Sequence, residues 1–255
     1  MAIILALGAD EALEAGGLGV KRLAELSGNE ISRVSRTLDV LAESRLVDRD
    51  PDSLVYRLGW RFFAVAARAG DLQLRTTAPR FVRLLTDEFG ERAFLSVLNG
   101  REVLTIVSES PTHTIQAADW TGRSHPYLYC TSAGRALLFS HGDEDLAALL
   151  GDVEFHPAGP NGPTSFDEFR ARLARERRSG WVYADEEFEP GLVGVAAPVF
   201  GFDSRVIAAL NLSAPKFRAE RALAAAGPRL IEVADELSSL LGYPPNSPDS
   251  ARAVG

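Results

Sequence analysis

The sequence predicts two unlike domains in one chain: a helix-dominated winged helix-turn-helix, joined by a linker helix to an α+β domain with an antiparallel sheet. Three observations carry this. Apolar residues recur three and four apart through the first fifty-odd positions, which is the helical period. Beyond them, helical blocks alternate with paired strand runs, which argues against a doubly wound parallel sheet. Finally, 255 residues at 46% hydrophobic content are enough for two cores of ordinary size. The ranges that follow are 1–58 for the first domain, 59–74 for the linker, 75–243 for the second domain and 244–255 for a tail.

Taken in order, Ile3 to Ala15 predicts a first helix ended by Gly16-Gly17, and Val20 to Leu26 a second that stops at Ser27-Gly28, where glycine permits a left-handed turn. A third helix runs from about Glu30 to Ser44. Its Ile31, Val34, Leu38 and Leu41 form one stripe for burial and leave Ser32, Arg33, Ser35 and Arg36 largely opposite. Leu46 to Arg49 and Leu54 to Leu58 read as short strands around the turn Asp50-Pro51-Asp52-Ser53. Gly59 to about Asp71 predicts the connecting helix, and a break in pattern at Leu72 to Thr77 predicts the boundary.

A helix from Ala78 to Phe89 then precedes a hairpin, Ala93 to Leu98 and Glu102 to Glu109, around Asn99-Gly100, the strongest two-residue hairpin signal. Thr131 to Ser140 and Glu144 to Leu150 have helical character. Ser165 and Glu168 have the capping-box spacing and Gly180 closes that helix. Strands follow at Trp181 to Ala184, Val193 to Phe200 and Arg205 to Ser213, then a last helix from Ala219 to Leu241. The tail, with Pro244, Pro245 and Pro248 among small and polar residues, predicts disorder.

The formal net charge is −8. Residues 1–70 hold nine Lys and Arg against ten Asp and Glu, so the acidity belongs to the second part, and any contact with nucleic acid must rest on a local patch. One cysteine, Cys130, permits neither an internal disulfide nor a cysteine-based zinc cage. His113, His125, His141 and His156 lack metal-ligand spacing, so no metal and no cofactor is expected. The longest apolar runs, such as Leu192 to Phe202, fall far short of the ~20 residues of a membrane span, and no charged segment of a signal peptide precedes Met1. A cytoplasmic chain without a membrane partner is the expectation.

Several stretches together point to a family. They are LAELSGNEISRVSRTLDVLAESRLV, YRLG at Tyr56 to Gly59, GRSHPYLYCTSAGRALL from Gly122 to Leu138, and GWVYADEEFEPGLVGVAAPVFGFDSRVIAALNLSAP from Gly180 to Pro215. In this order and at these separations the sequence resembles the IclR-type bacterial transcriptional regulators over nearly its whole length. The resemblance implies a GAF-like sensing domain, a homodimer or dimer of dimers, binding to double-stranded palindromic operator DNA, and control by a small-molecule effector.

A helix in the major groove needs donors to phosphates and base edges, and arginine can bridge guanine O6 and N7. Arg33 and Arg36 are the candidates, with Ser32 and Ser35 short enough to let the helix approach. The same residues also fit a plain solvated helix face. Arg49 and Arg57 flank the wing, although Asp48, Asp50 and Asp52 crowd it, and Lys21 and Arg22 serve equally as phosphate contacts or surface charges.

In the second domain, Thr131-Ser132-Ala133-Gly134 leads small residues into a helix whose backbone N–H groups suit a carboxylate, which makes Ser132 and Ala133 effector-site candidates. Alternation puts Asn211 and Ser213 on one strand face. The resemblance adds the strand end at Gly194 and the acidic loop beginning at Asp185. Tyr127, Tyr129, Phe94 and Trp181 are large enough to line or narrow a cavity. No catalytic residue is expected. Two rival readings remain at this point: an enzyme using Asp185, Glu186 and Glu187 as acid and base, and a metabolite-binding module that acts through protein contacts.

Overall fold

The computed structural model describes residues 2–156 and 158–244. The predicted tail from 245 onward lies outside them. By contacts the chain divides into two units, residues 1–72 and 73–255.

The first unit contains α1 (Ala2–Leu7), α2 (Asp10–Glu14), α3 (Val20–Ser27), α4 (Ile31–Glu43), β1 (Val47–Arg49) and β2 (Tyr56–Leu58). The single helix expected over Ile3 to Ala15 is two, because the chain turns at Gly8 and Ala9 is extended, with φ −76° and ψ 156°. Glycine is a poor helix interior residue, which makes position 8 the natural break. Helix α3 ends on Gly28, which is left-handed at φ 65°. Val34 and Leu38 of α4 are buried against Leu7, Leu23 and Val47. Ile31, counted in the same stripe from its spacing, is 54% exposed, since it sits in the first turn beyond the reach of that core.

Strands β1 and β2 pair antiparallel with Val47 opposite Leu58. Their turn is fixed by Asp50, whose Oδ1 accepts from the Asp52 and Ser53 amides and the Ser53 hydroxyl. Leu18 adds a bridge to Tyr56, with both backbone bonds at 2.8–2.9 Å.

Helix α5 (Trp60–Phe89) is continuous where the sequence predicts a break at Leu72 to Thr77. Leu74, Ala78, Phe81, Val82 and Leu85 bury one stripe against the sheet, so tertiary packing carries the helix through Pro79.

The second unit is built on an antiparallel six-stranded sheet in the order β5-β4-β3-β8-β7-β6. The strands are β3 (Arg92–Asn99), β4 (Glu102–Glu109), β5 (Ser124–His125), β6 (Val182–Asp185), β7 (Leu192–Phe200) and β8 (Val206–Pro215). One face carries Val195, Val199, Leu210 and Leu212 against the second half of α5, α9 (Lys216–Ala224) and α10 (Gly227–Leu240). The other carries Ala196 and Ala209 against α6 (Ser132–Leu137), α7 (Asp143–Leu150) and α8 (Phe166–Ser179). With both faces covered, the central strands read as continuous apolar runs. Pro198 is tolerated because β6 pairs with β7 only as far as Ala196.

The last helix, expected unbroken over Ala219 to Leu241, is interrupted between α9 and α10. Pro228 stands at the start of α10, and a Cβ on Gly227 would meet the Trp181 ring at 2.1 Å. That close approach spends Trp181 on packing and removes it from the cavity described next.

Candidate functional site

On α4, Ser32, Arg33 and Arg36 are exposed and Ser35 is half-buried. Arg36 Nε donates to its own helix at the Ser32 carbonyl, 3.2 Å. Neither Arg33, Arg36 nor Arg57 forms an ion pair with a described residue, whereas Arg22 is clasped by Glu11 at 2.7 Å and Glu25 at 3.1 Å. These two carboxylates hold Arg22 above its ordinary pKa and neutralise it. On the hairpin, Arg57 stands opposite Asp48, and the Arg49 guanidinium lies 5.5 Å from the Tyr56 ring centre. Arg33, Arg36 and Arg57 thus share with Lys21, Arg45 and Arg49 the absence of an ion pair among the described residues.

The second unit encloses a cavity of about 410 Å³. Its floor follows from strand register. Gly194 lies opposite Ser213, Ala196 opposite Asn211, Phe94 opposite Asn211, and Ser96 opposite Thr105, so these side chains share the α6 face of the sheet. Ser96 Oγ donates to Asn211 Oδ1 at 3.3 Å. A Cβ at Gly194 would stand 2.9 Å from Ser132 Oγ and 3.4 Å from Ser213 Oγ, so glycine keeps open the space between the two hydroxyls.

Of the residues expected from sequence, Ser132, Ala133, Gly194, Asn211, Ser213 and Phe94 line this cavity. Asp185 does not: its carboxylate turns to Lys216 Nζ at 2.7 Å. Tyr127, Tyr129 and Trp181 are also outside the lining, and Tyr129 instead donates to the His156 carbonyl at 2.7 Å. Helix α6 has only six residues, and its cap Thr131 already takes the Gly134 amide at 3.1 Å. A helix this short has a small dipole, so what the segment offers a ligand is the Ser132 hydroxyl rather than the anion site expected of a longer helix.

Behind the cavity lies a group that motif reading missed. Arg135 is fully buried; its Nε donates to Glu176 at 2.9 Å, Nη2 to Glu187 at 2.9 Å, and Nη1 to the Tyr129 carbonyl at 3.1 Å. Burial opposes its charge, but Glu176 and Glu187 outweigh that and hold Arg135 above its usual range. Burial pushes Glu176 up more than Arg135 pulls it down. Arg172 adds a second cation 3.2 Å from Glu187. The available signal was Arg135 itself, a charge set in the apolar run Ala133 to Phe139.

Thus all three carboxylates of the acidic cluster are committed, Asp185 and Glu186 to Lys216 and Glu187 to two arginines. Cys130 is buried and pushed up to about 12 by that burial, so it is an unreactive thiol in the cavity wall. No group of three or more metal-ligating side chains occurs among the described residues, and no described helix is long and apolar enough to cross a membrane.

Residues 66–239 match the family model of the bacterial transcriptional regulator IclR C-terminal domain. The chain belongs to the IclR family. It is 30% identical over 237 residues to the HTH-type transcriptional regulator XynR of Escherichia coli, covering 91% of this chain and 92% of that protein. The solved C-terminal domain of E. coli KdgR is 27% identical with a TM-score of 0.56, over 70% of this chain and 99% of that one. The Thermotoga maritima IclR structure shares the fold at a TM-score of 0.63 and 24% identity, over 89% and 92% of the two chains. This IclR-family chain is therefore a transcriptional regulator rather than an enzyme. Regulators of this family bind operator DNA and small-molecule effectors.

Proposed function

We propose that α3 and α4 form a helix-turn-helix with β1 and β2 as its wing, and that α4 reads the major groove of a palindromic operator through Ser32, Arg33, Ser35 and Arg36. Arg49 and Arg57 hold the backbone from the wing. The observation that carries this is the exposed pair Arg33 and Arg36 on α4, neither with a carboxylate partner among the described residues. With so few free cations per head, a homodimer or a dimer of dimers supplies the remaining phosphate contacts and the two-fold match to the site. Activity on DNA places the protein in the cytoplasm.

The cavity on the GAF-like sensing domain takes the effector, with Ser132, Ala133, Gly194, Asn211 and Ser213 around it and Asp185 acting indirectly, through Lys216, on the loop that borders it. Effector binding acts as a population shift: DNA affinity changes by the difference in effector affinity between the two arrangements of the heads. The test is selection of genomic DNA fragments by purified protein, with the Arg33→Ala/Arg36→Ala double variant alongside and at two salt concentrations. Enrichment of a palindrome by the wild type, lost in the variant, is the expected result. Equal enrichment by both proteins would instead favour a module working through protein contacts.

A further inference from the structure

Helix α4 is polarised along its length. Its first two turns carry the exposed Arg33 and Arg36, whereas Asp39 and Glu43 further along are exposed and form no ion pair with a described residue. A carboxylate beside a phosphate is repelled, so the acidic half of the helix stays off the duplex and the helix enters the groove by its N-terminal end. In helix-turn-helix proteins that end is the one that meets base edges. The residues carried deepest are then Glu30, the extended residue that caps the helix, and Ile31, its first residue.

Neither side chain is used by the head itself. The Glu30 carbonyl accepts from the Arg33 and Val34 amides at 3.0 Å each, but its carboxylate makes no capping hydrogen bond and no ion pair with a described residue. Ile31 is 54% exposed, while Val34 and Leu38 of the same stripe are fully buried. In the major groove the four bases differ in chemistry: cytosine offers its N4 donor, thymine its 5-methyl group, guanine two acceptors, and adenine one donor and one acceptor. A carboxylate only accepts, so it matches cytosine and is repelled by the O6 and N7 of guanine. A branched hydrocarbon matches the thymine methyl. Arg33 stands three residues on from Glu30, which makes the two neighbours on the helix surface. Acceptor and donor thus lie side by side, as cytosine and guanine require.

We infer that Glu30 and Ile31 set operator specificity, the Glu30 carboxylate by accepting from N4 of a cytosine and the Ile31 side chain by packing on the 5-methyl group of a thymine, beside the guanine met by Arg33. This deepens the reading of α4 given above and rests on it. The arginines supply affinity for any guanine and for phosphates, whereas Glu30 acts mainly by rejecting wrong bases.

The test is selection of random duplexes by the full chain. Fluorescence anisotropy of the wild type, Glu30→Gln and Ile31→Ala on the selected site and its single-base variants then reads each contact, with Arg33→Ala/Arg36→Ala as control and circular dichroism confirming that all variants fold. The expected site holds a fixed cytosine and a fixed thymine in each half. Replacing that cytosine should weaken the wild type by about tenfold or more, and Glu30→Gln should move the preference at that position alone toward adenine, whose N6 and N7 match an amide. Exchanging the thymine for deoxyuridine removes only the methyl group; it should weaken the wild type about fourfold, the worth of one buried methyl, and leave Ile31→Ala unaffected. If Glu30→Gln and Ile31→Ala keep the wild-type preference at every position, or lose affinity equally on all sequences, this assignment is overturned while α4 remains the reading helix. If no site is selected, or the arginine control binds the site as the wild type does, the reading of α4 fails and this inference with it.

Discussion

Arg135 in α6 and Arg33 with Arg36 in α4 all lie within the first two turns of a helix, yet their surroundings are opposite. Arg135 is removed from water and answered by two glutamates and a backbone carbonyl. Arg33 and Arg36 are in water with no carboxylate partner among the described residues. The difference teaches how to assign a guanidinium. Arginine stays charged in either place, so a buried one must be satisfied by the protein itself, while an exposed and unpaired one is available to an anion from outside. Arg135 thereby fixes the wall of the cavity, since Glu187 is both its partner and a lining residue.

The strongest way to break the comparison is Arg135→Met. It strands the largely buried Glu176 without a counter-charge and leaves Glu187 with Arg172 alone, and breaking a buried pair in this way costs about 3–5 kcal/mol. Urea unfolding of the full chain, followed by tryptophan fluorescence, should show the loss in the transition reporting Trp120 and Trp181. A change under about 1 kcal/mol would mean that the network is dispensable and that its role in the cavity wall is wrong. Arg135→Lys is a finer probe. Lysine keeps the charge but not the planar fork that meets both glutamates, so about 1.5–3 kcal/mol should go, the worth of hydrogen bonds to charged groups.

On the other side of the comparison, Arg33→Ala/Arg36→Ala should leave unfolding within about 0.5 kcal/mol of the wild type, as for ordinary surface changes. DNA affinity should fall on the order of tenfold or more for each lost base contact. Fluorescence anisotropy with the selected operator, repeated across salt concentrations, reads both the loss and a shallower salt slope. If the variant unfolds earlier, the two arginines are structural and the contrast with Arg135 disappears.

The sequence made different parts of this molecule legible for physical reasons. Helix α8 was marked by its cap Ser165 and its stop Gly180, and the β3–β4 hairpin by Asn99-Gly100, since local backbone chemistry decides those ends. The unbroken α5 and the divided α9–α10 were not legible, because packing on the sheet carries one past Pro79 and the Trp181–Gly227 approach splits the other. In the site, Asn211 and Ser213 were readable from strand alternation, which is a two-residue rule. Glu187 with Arg135 and Glu176, and the rings Trp120, His125 and Phe188, come together over long separations that no local period encodes. Asp185 was placed in the effector group for its loop, and what redirects it, Lys216, opens α9, thirty-one residues further along the chain.

His125 sharpens the comparison by showing a third way to handle a potential cation. Arginine cannot shed its proton, but histidine can, and burial holds His125 at about 4 against an ordinary 6.5, with Glu102 only partly opposing. Between these values the unfolded chain binds a proton that the folded chain refuses. The folded-state pKa is the lower one, so the contribution of His125 is favourable above pH 6.5 and is lost as the pH falls from there toward 4, with a slope of at most about 1.4 kcal/mol per pH unit. Comparing wild type with His125→Gln isolates this from the carboxylates, which titrate in both. The gap in unfolding free energy between the two proteins should shift against the wild type on going from pH 7.5 to pH 5. A gap that does not change with pH would mean that His125 finds a partner for its charge, in which case it belongs with Arg135 as a satisfied cation rather than with the neutral wall of the cavity.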